Sequence, residues 1–164
     1  MARKIVFVVL LILCVLWVSF IFSNSLKDAT ASDSQSAGVT EKVNEVAQAV
    51  GIDREITHSE VRSMAHFSEF AILALLVSAT VSVGIYPYFK EKLLYSMLIS
   101  SASLPLCLIL AIIDELLQKL SEGRASQLTD VLLDTLGALC GALLFAVAYI
   151  VFYSIKEKFK EKQK

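Results

Sequence analysis

Four apolar runs, each about as long as a bilayer is thick, constrain this chain more than any other feature. A helix needs roughly 20 apolar residues to cross the hydrocarbon core, and such runs occupy about residues 5–22, 64–86, 93–117 and 131–153. The chain is 56% hydrophobic and 19% charged, which is more apolar than a soluble domain. The sequence therefore predicts an all-α, four-span transmembrane helical bundle, a single membrane domain over residues 1–164.

The first run has a rival interpretation as a cleaved signal peptide, because Ala29-Thr30-Ala31 offers a small-residue cleavage site. The apolar core of a signal peptide is about 7–15 residues long and lies close to its cleavage site. This run is longer and ends seven residues before Ala29. We therefore interpret it as the first membrane span.

Residues 23–63 form a polar loop between spans one and two. Its first part, 23–38, is rich in Ser, Asp and Ala and is predicted to be an irregular connector. Valines then recur at helical spacing from Val39 to Val50, which predicts a short amphipathic helix on the membrane surface, over the other helices, or in an exposed loop. Thr57 and Glu60 have the spacing of a capping box, so a helix should run from Glu60 to Tyr86.

The later spans carry two architectural features. Pro105 lies in the middle of span three and should kink it, with nearby serines at 100, 101 and 103 satisfying the freed backbone. In span four, Gly137 and Gly141 begin a strip of small residues that favours close packing of helices, including with a partner helix. The three cysteines each lie inside an apolar run and indicate no disulfide.

The distribution of basic residues predicts the orientation. Four spans place both termini on one side, and that side collects nine basic residues, including the five lysines of the tail 154–164. The other side holds six. By the positive-inside rule, both termini should lie in the cytoplasm, and the loop 23–63 should face outward.

Polar residues near the outward ends of spans two, three and four form the candidate site. Ionisable groups at a membrane boundary are costly, face the bundle interior and mark functional sites. The candidates are Arg62, His66, Glu69, Asp114, Glu115, Gln118, Arg124, Asp130 and Asp134. We expect Arg62 and Arg124 to be balanced against the acids in an outward-facing pocket, although a purely structural network of salt bridges is the alternative.

The residue types limit what such a pocket can do. Two arginines can bind a phosphate or carboxylate, and His66 beside Glu69 can move a proton. The pattern requires no cofactor, although the carboxylates could hold Mg²⁺ or Ca²⁺. A zinc site is not expected, because His66 is the one well-placed histidine and no cysteine is near. The sequence shows no nucleophile triad, phosphate loop or dinucleotide motif, and no pattern for binding nucleic acid.

The ordered motifs resemble the VanZ-like family. They are Arg62-x-x-x-His66-Phe67-x-Glu69-Phe70, Asp114-Glu115-x-x-Gln118, Gly123-Arg124 with Asp130, and Gly137-x-x-x-Gly141. The family often has Lys at the position of Arg62 and Asn at that of Asp134, so Asp134 adds a negative charge here. The resemblance implies a multi-pass protein of the bacterial cytoplasmic membrane and a link to resistance against teicoplanin, with which the family's namesake is associated.

Three hypotheses follow. The first is a binding protein in which Arg62 and Arg124 engage the anionic headgroup of a membrane lipid or of a lipid-linked envelope precursor. The second is a hydrolase or transferase at the membrane boundary with His66 or Glu115 as general base. The third is a structural or assembly subunit that uses the glycines of span four as its interface.

Overall fold

The structure, a computed structural model, describes residues 1–85, 92–123 and 127–161. These residues form five helices and no strand. The helices are α1 (Ala2–Ser25), α2 (Ala29–Ala49), α3 (His58–Ile85), α4 (Lys92–Leu120) and α5 (Leu128–Glu161). Of these five, all but α2 are long and apolar enough to cross a membrane, which confirms the predicted all-α bundle with four spans.

Helix α3 lies at the centre of the bundle and packs against each of the other four helices. Its closest neighbour is α5, because two glycines of α5 face the α3 backbone. A Cβ atom at Gly137 would lie 2.9 Å from the carbonyl carbon of Phe67, and one at Gly141 would lie 2.8 Å from that of Ala71. Both distances are shorter than real Cβ contacts, so these positions require glycine.

The small-residue strip of α5 therefore packs within the chain. Ala138 and Ala142 are buried on the same helix, which is what close helix packing in a membrane requires. The contact also sets the register of the site, because His66 precedes Phe67 on α3 and Asp134 lies one turn before Gly137 on α5. Since α3 covers both glycines, a partner helix cannot use this face in the way we expected.

The rest of the interior is apolar, and so is much of the surface. Cys14, Phe70, Leu73 and Cys107 belong to the buried core, and the three cysteines are free thiols, as predicted. Large apolar side chains are exposed along α1 and on the outer faces of α4 and α5. Such a surface suits lipid rather than water.

The prediction of an irregular connector over 23–38 is wrong, because α1 continues to Ser25 and α2 begins at Ala29. Asp28 caps α2 by accepting a hydrogen bond from the Ala31 amide at 2.7 Å. Within α2, the hydroxyls of Ser36 and Thr40 donate to the carbonyls four residues earlier. These polar side chains are thus satisfied inside the helix and do not compete with it.

Helix α2 packs on α3 with only part of its predicted apolar face. Thr40 and Ala47 are buried and Val43 is half-buried, whereas Val39, Val46 and Val50 remain exposed. The Thr40 hydroxyl lies 3.2 Å from Nδ1 of His58, and Asn44 bonds to the backbone of Ile56 in both directions. Polar contacts therefore hold α2 against the beginning of α3.

The capping box at the start of α3 is confirmed. The Glu60 amide donates to the Thr57 hydroxyl at 3.3 Å, and the Thr57 amide donates to the Glu60 carboxylate at 3.0 Å. The helix begins at His58, two residues before the predicted start, because a capping residue immediately precedes the first helical turn.

Pro105 lies inside α4, and the helix continues through it from Lys92 to Leu120. Ser103 accepts a hydrogen bond from the Ser78 hydroxyl of α3 at 3.1 Å. It therefore joins two helices, a use of the serine that we did not expect. The kink itself stays a prediction.

Candidate functional site

Four helices bring polar side chains to one end of the bundle. The last turn of α1 contributes Asn24 and Ser25, and the first turns of α3 contribute Arg62, His66 and Glu69. The last turns of α4 contribute Asp114, Glu115 and Gln118, and the first turns of α5 contribute Asp130 and Asp134. Asp114, Gln118 and Asp134 are 0% exposed, His66 is buried and Arg62 is half-buried beside them. We call these five residues the buried polar centre.

A chain of hydrogen bonds crosses the buried polar centre from α3 to α4 and on to α1. The Arg62 guanidinium donates to Oε1 of Gln118 at 3.1 Å, and the Gln118 amide donates to Oδ2 of Asp114 at 2.9 Å. The Ser25 hydroxyl donates to the other oxygen, Oδ1 of Asp114. Asp114 and Gln118 are both 0% exposed, so they are positioned entirely by these partners.

His66 and Asp134 form an ion pair between α3 and α5. Nδ1 of His66 lies 3.3 Å from Oδ1 of Asp134, and the residues are 8% and 0% exposed. The distance suits an ion pair, and neither Asp134 oxygen makes a geometrically regular hydrogen bond with the described residues. A buried carboxylate without donors is unusual, because desolvating it costs several kcal/mol.

Glu69 and Glu115 lie at the edges of the buried polar centre. Oε1 of Glu69 accepts from the Asn24 amide at 3.2 Å, and the backbone carbonyl of Glu69 accepts from the Trp17 indole at 2.9 Å. Oε1 of Glu115 accepts from the Gln127 amide, while its Oε2 is buried with no partner in the described part of the chain. Each glutamate thus joins its helix to a neighbouring segment.

Two cavities reach the buried polar centre, one on each side of α2. The first cavity, of about 120 Å³, lies between α1, α2 and α3, and its wall includes Lys27, Gln35, Arg62, His66 and Glu69. The second cavity, of about 250 Å³, lies between α2, α3 and the start of α5, and its wall includes Asp33, His58 and Asp130. Ser36, Arg62 and His66 line both.

The predicted site residues are brought together, but their partners differ from the expected ones. Arg62 contacts Gln118 rather than a carboxylate, and His66 is paired with Asp134 rather than with Glu69. Arg62, His66 and Glu69 do share one face of α3, since all three line the first cavity. Asp130 lines only the second cavity, and Arg124 lies outside the described residues.

Sequence reasoning missed the contribution of α1 and α2. The predicted loop includes Asn24, Ser25 and Lys27. In the structure, Asn24 donates to Glu69, Ser25 donates to Asp114, and Lys27 lines the first cavity. Nζ of Lys27 lies 2.8 Å from Oδ1 of Asn24 and 2.6 Å from Oε1 of Gln35. The signal was present in Ser23-Asn24-Ser25, a polar triplet that directly follows an apolar span.

The comparisons with known proteins identify the chain. No curated protein and no solved structure matches it. The sequence profile of the VanZ/LLP1 family matches residues 8–152, a stretch that includes α3, α4, most of α1 and α5, and every residue of the candidate site. The chain is therefore a multi-pass membrane protein and belongs to the VanZ/LLP1 family.

Proposed function

We propose that this protein binds the anionic headgroup of a membrane lipid, or of a lipid-linked envelope precursor, in the first cavity. The observation that carries the proposal is the pairing of two cationic side chains, Lys27 and Arg62, on the wall of one cavity. Nε of Arg62 is buried and has no hydrogen-bond partner among the described residues. A phosphate or carboxylate oxygen is the acceptor that a guanidinium prefers.

The charged residues on the walls of the two cavities favour anion binding in the first cavity over the second. Glu69 is the acidic residue on the wall of the first cavity, against Lys27 and Arg62. The second cavity has Asp33 and Asp130 against Arg62, so its balance is negative unless a histidine is protonated. An anion would therefore enter the first cavity, where Ser32 and Gln35 supply neutral donors beside the two cations.

The orientation that we propose places both termini in the cytoplasm and the polar end of the bundle outside. Basic residues are in excess at the other end of the bundle, as the positive-inside rule requires. Near that end, the ring centroids of Tyr149 and Tyr153 are 4.9 Å apart, with the rings tilted, and Nζ of Lys156 lies 5.6 Å from the centroid of the Tyr153 ring. Tyrosine beside lysine is typical of the membrane–water interface.

Native mass spectrometry tests the proposal on full-length protein extracted gently from bacterial membranes. We expect an anionic lipid adduct on the wild type and a loss of about tenfold or more in its occupancy in Lys27→Ala and Arg62→Gln, because each removes a charged hydrogen bond. The matched control is Lys42→Ala, which removes an exposed lysine of α2. The mass of the adduct distinguishes a phospholipid from a lipid-linked precursor.

Equal adducts in Lys27→Ala and Lys42→Ala would refute this assignment of the cavity. Arg124→Ala belongs in the same series, since Arg124 is a predicted contributor to headgroup binding. If Arg124→Ala retains the adduct and Lys27→Ala loses it, Arg124 does not contribute to headgroup binding, and the assignment of binding to the first cavity still holds.

One observation favours a second candidate function, hydrolysis or group transfer at the membrane boundary. Asp134 lies 3.3 Å from His66, as an acid that orients a general base does, and His66 lines both cavities. The candidate predicts turnover of a phospholipid in proteoliposomes that is lost in His66→Gln. Lipid binding without turnover would exclude the catalytic candidate and leave lipid binding as the proposed function.

A role in resistance to teicoplanin is the broader proposal. It rests on membership of the VanZ/LLP1 family and on an anion-binding cavity, and it predicts that expression raises the inhibitory concentration of teicoplanin in a susceptible host. Lys27→Ala should abolish that increase, and Lys42→Ala should keep it. An increase that survives in Lys27→Ala would separate resistance from the cavity.

A further inference from the structure

We infer that His66, Asp114 and Asp134 bind a divalent transition-metal ion. The three residues come from α3, α4 and α5, and each offers one ligand atom such that all three atoms lie within 4.8 Å of one another. Ligand atoms of a tetrahedral ion lie about 3.4 Å apart when each bond is about 2.1 Å. The side chains would therefore have to rotate and draw closer together to close on a single ion.

The absence of a hydrogen bond from the described residues to either oxygen of Asp134 is the independent observation that points to a cation. Its carboxylate is 0% exposed, and neither oxygen accepts a hydrogen bond from the described residues. Buried polar atoms are nearly always paired, and an exception calls for an unrecorded partner such as an ion. Nδ1 of His66, which faces Asp134 at 3.3 Å, also has no hydrogen-bond partner in the described ranges.

The charges around the three ligands are negative on balance. The acids that face this region from α3, α4 and α5 are Glu69, Asp114, Glu115, Asp130 and Asp134, and the basic groups are Arg62 and His66. The Arg62 guanidinium donates its hydrogen bond to the neutral amide of Gln118 and not to the carboxylate of Asp134. A divalent cation would supply the missing positive charge at the point where the acids converge.

Asp114 is held as a metal ligand needs to be. Ser25 and Gln118 each donate one hydrogen bond to it, which fixes the direction of the carboxylate and leaves other lone pairs free. Gln118 is fixed in turn by Arg62. Such outer partners orient ligands in metal sites and tune the affinity.

The donor set selects the kind of ion. One imidazole nitrogen with two carboxylates suits Zn²⁺ or Mn²⁺ better than Ca²⁺ or Mg²⁺, which prefer oxygen alone. Three protein ligands leave at least one coordination position open. Because His66 lines both cavities, that position would face a water or a ligand oxygen in a cavity. Zinc, which the sequence did not favour, thus becomes a reasonable ion.

The test is titration of tag-free, full-length protein in mild detergent with Zn²⁺ alone, after treatment with a chelator and its removal. We expect one Zn²⁺ per chain, and a weakening of at least about tenfold in Asp134→Asn and in His66→Gln. The matched comparison is Asp130→Asn, which removes a nearby negative charge but no metal ligand, one turn earlier on α5; it should weaken Zn²⁺ binding less than Asp134→Asn does. Mg²⁺ at the same concentrations should not compete.

A second measurement keeps the test valid if a variant folds poorly. Co²⁺ added to the wild type should give visible absorption bands of a bound ion, and Zn²⁺ should displace them. Absence of Zn²⁺ and Co²⁺ binding in the folded wild type would overturn the inference and favour a proton shared by His66 and Asp134. Equal losses in Asp130→Asn and Asp134→Asn would also overturn it. Lys27→Ala should retain Zn²⁺ while losing lipid, so this inference and the headgroup proposal fail separately.

Discussion

The contact between α3 and α5 leads to the most quantitative prediction, which is that Gly137→Ala destabilises the fold. The new Cβ would lie 2.9 Å from the Phe67 carbonyl carbon and 3.0 Å from its Cα. The Phe67 carbonyl oxygen would lie closer still, and ordinary contacts of this kind begin near 3.4 Å, so the helices must separate by about 1 Å. The obstacle is backbone, which cannot rotate away as a side chain can.

Two terms set the size of the effect. Overpacking of this kind costs about 1–3 kcal/mol, and replacing a helical glycine by alanine returns up to about 1 kcal/mol. The net loss in the free energy of unfolding should thus be up to about 2 kcal/mol. Gly84→Ala is the matched control in a spanning helix, because its Cβ would meet only the end of the Phe7 ring at 3.3 Å, and it should be neutral or slightly stabilising.

Unfolding in mixed micelles with increasing SDS measures both variants. Trp17 is the single tryptophan, and its indole donates to the Glu69 carbonyl, so its fluorescence reports the contact between α1 and α3. The double variant Gly137→Ala/Gly141→Ala should cost less than the two single variants together, because one separation of α3 from α5 relieves both clashes. Equal stability of Gly137→Ala and Gly84→Ala would refute the reasoning.

Three further predictions concern polar groups. Gln118→Ala should lower the free energy of unfolding by about 1–3 kcal/mol, because Arg62 and Asp114 each lose a partner; a value near zero in the SDS titration would contradict this. Ser78→Ala should lower the free energy of unfolding by only about 0.6 kcal/mol, the average for a hydrogen bond between membrane helices. A larger loss of stability in Ser78→Ala than in Gln118→Ala would contradict this prediction. The Ala31 amide and the Thr30 hydroxyl hold the pKa of Asp28 below its ordinary value of 3.8, so the cap stabilises α2 at neutral pH and is lost as the pH falls through that lowered value. Hydrogen exchange across α2, corrected for the intrinsic rate, should therefore accelerate on acidification in the wild type and should be faster already at neutral pH in Asp28→Ala, which removes the cap.

Local patterns in the sequence predicted the parts of the fold that depend on local physics. Apolar length determined the four spans, the spacing of Thr57 and Glu60 determined the start of α3, and helical periodicity placed His66 and Glu69 on one face. Helix α2 was missed because its serines and threonines satisfy their own helix, whereas the same residues favour loops when they bond elsewhere.

The pairing of charges could not be predicted from the same patterns. Whether His66 meets Glu69 or Asp134 depends on how α3 and α5 are rotated about their axes, and that rotation follows from the approach of the Phe67 backbone to Gly137. The glycines were recognised as a packing strip, but a strip does not indicate which helix will cover it. Ser25 became a partner of Asp114 because α1 packs on α3 and α4, a long-range contact that no local signal reports.

The pattern of unpaired atoms argues against a network built only for stability. Such a network would pair each buried charge, because the cost of desolvating an ion is recovered only with good partners. Here Nε of Arg62, Oε2 of Glu115 and both oxygens of Asp134 lack hydrogen-bond partners among the described residues, while Gln118 and Ser25 are used to hold Asp114. The fold thus holds some groups rigidly and leaves other buried groups without a hydrogen-bond partner, which is the division expected if the site binds a ligand as we propose. Because the contact of Gly137 with α3 also sets the distance from His66 to Asp134, a variant that separates α3 from α5 should weaken Zn²⁺ binding even where the protein stays folded.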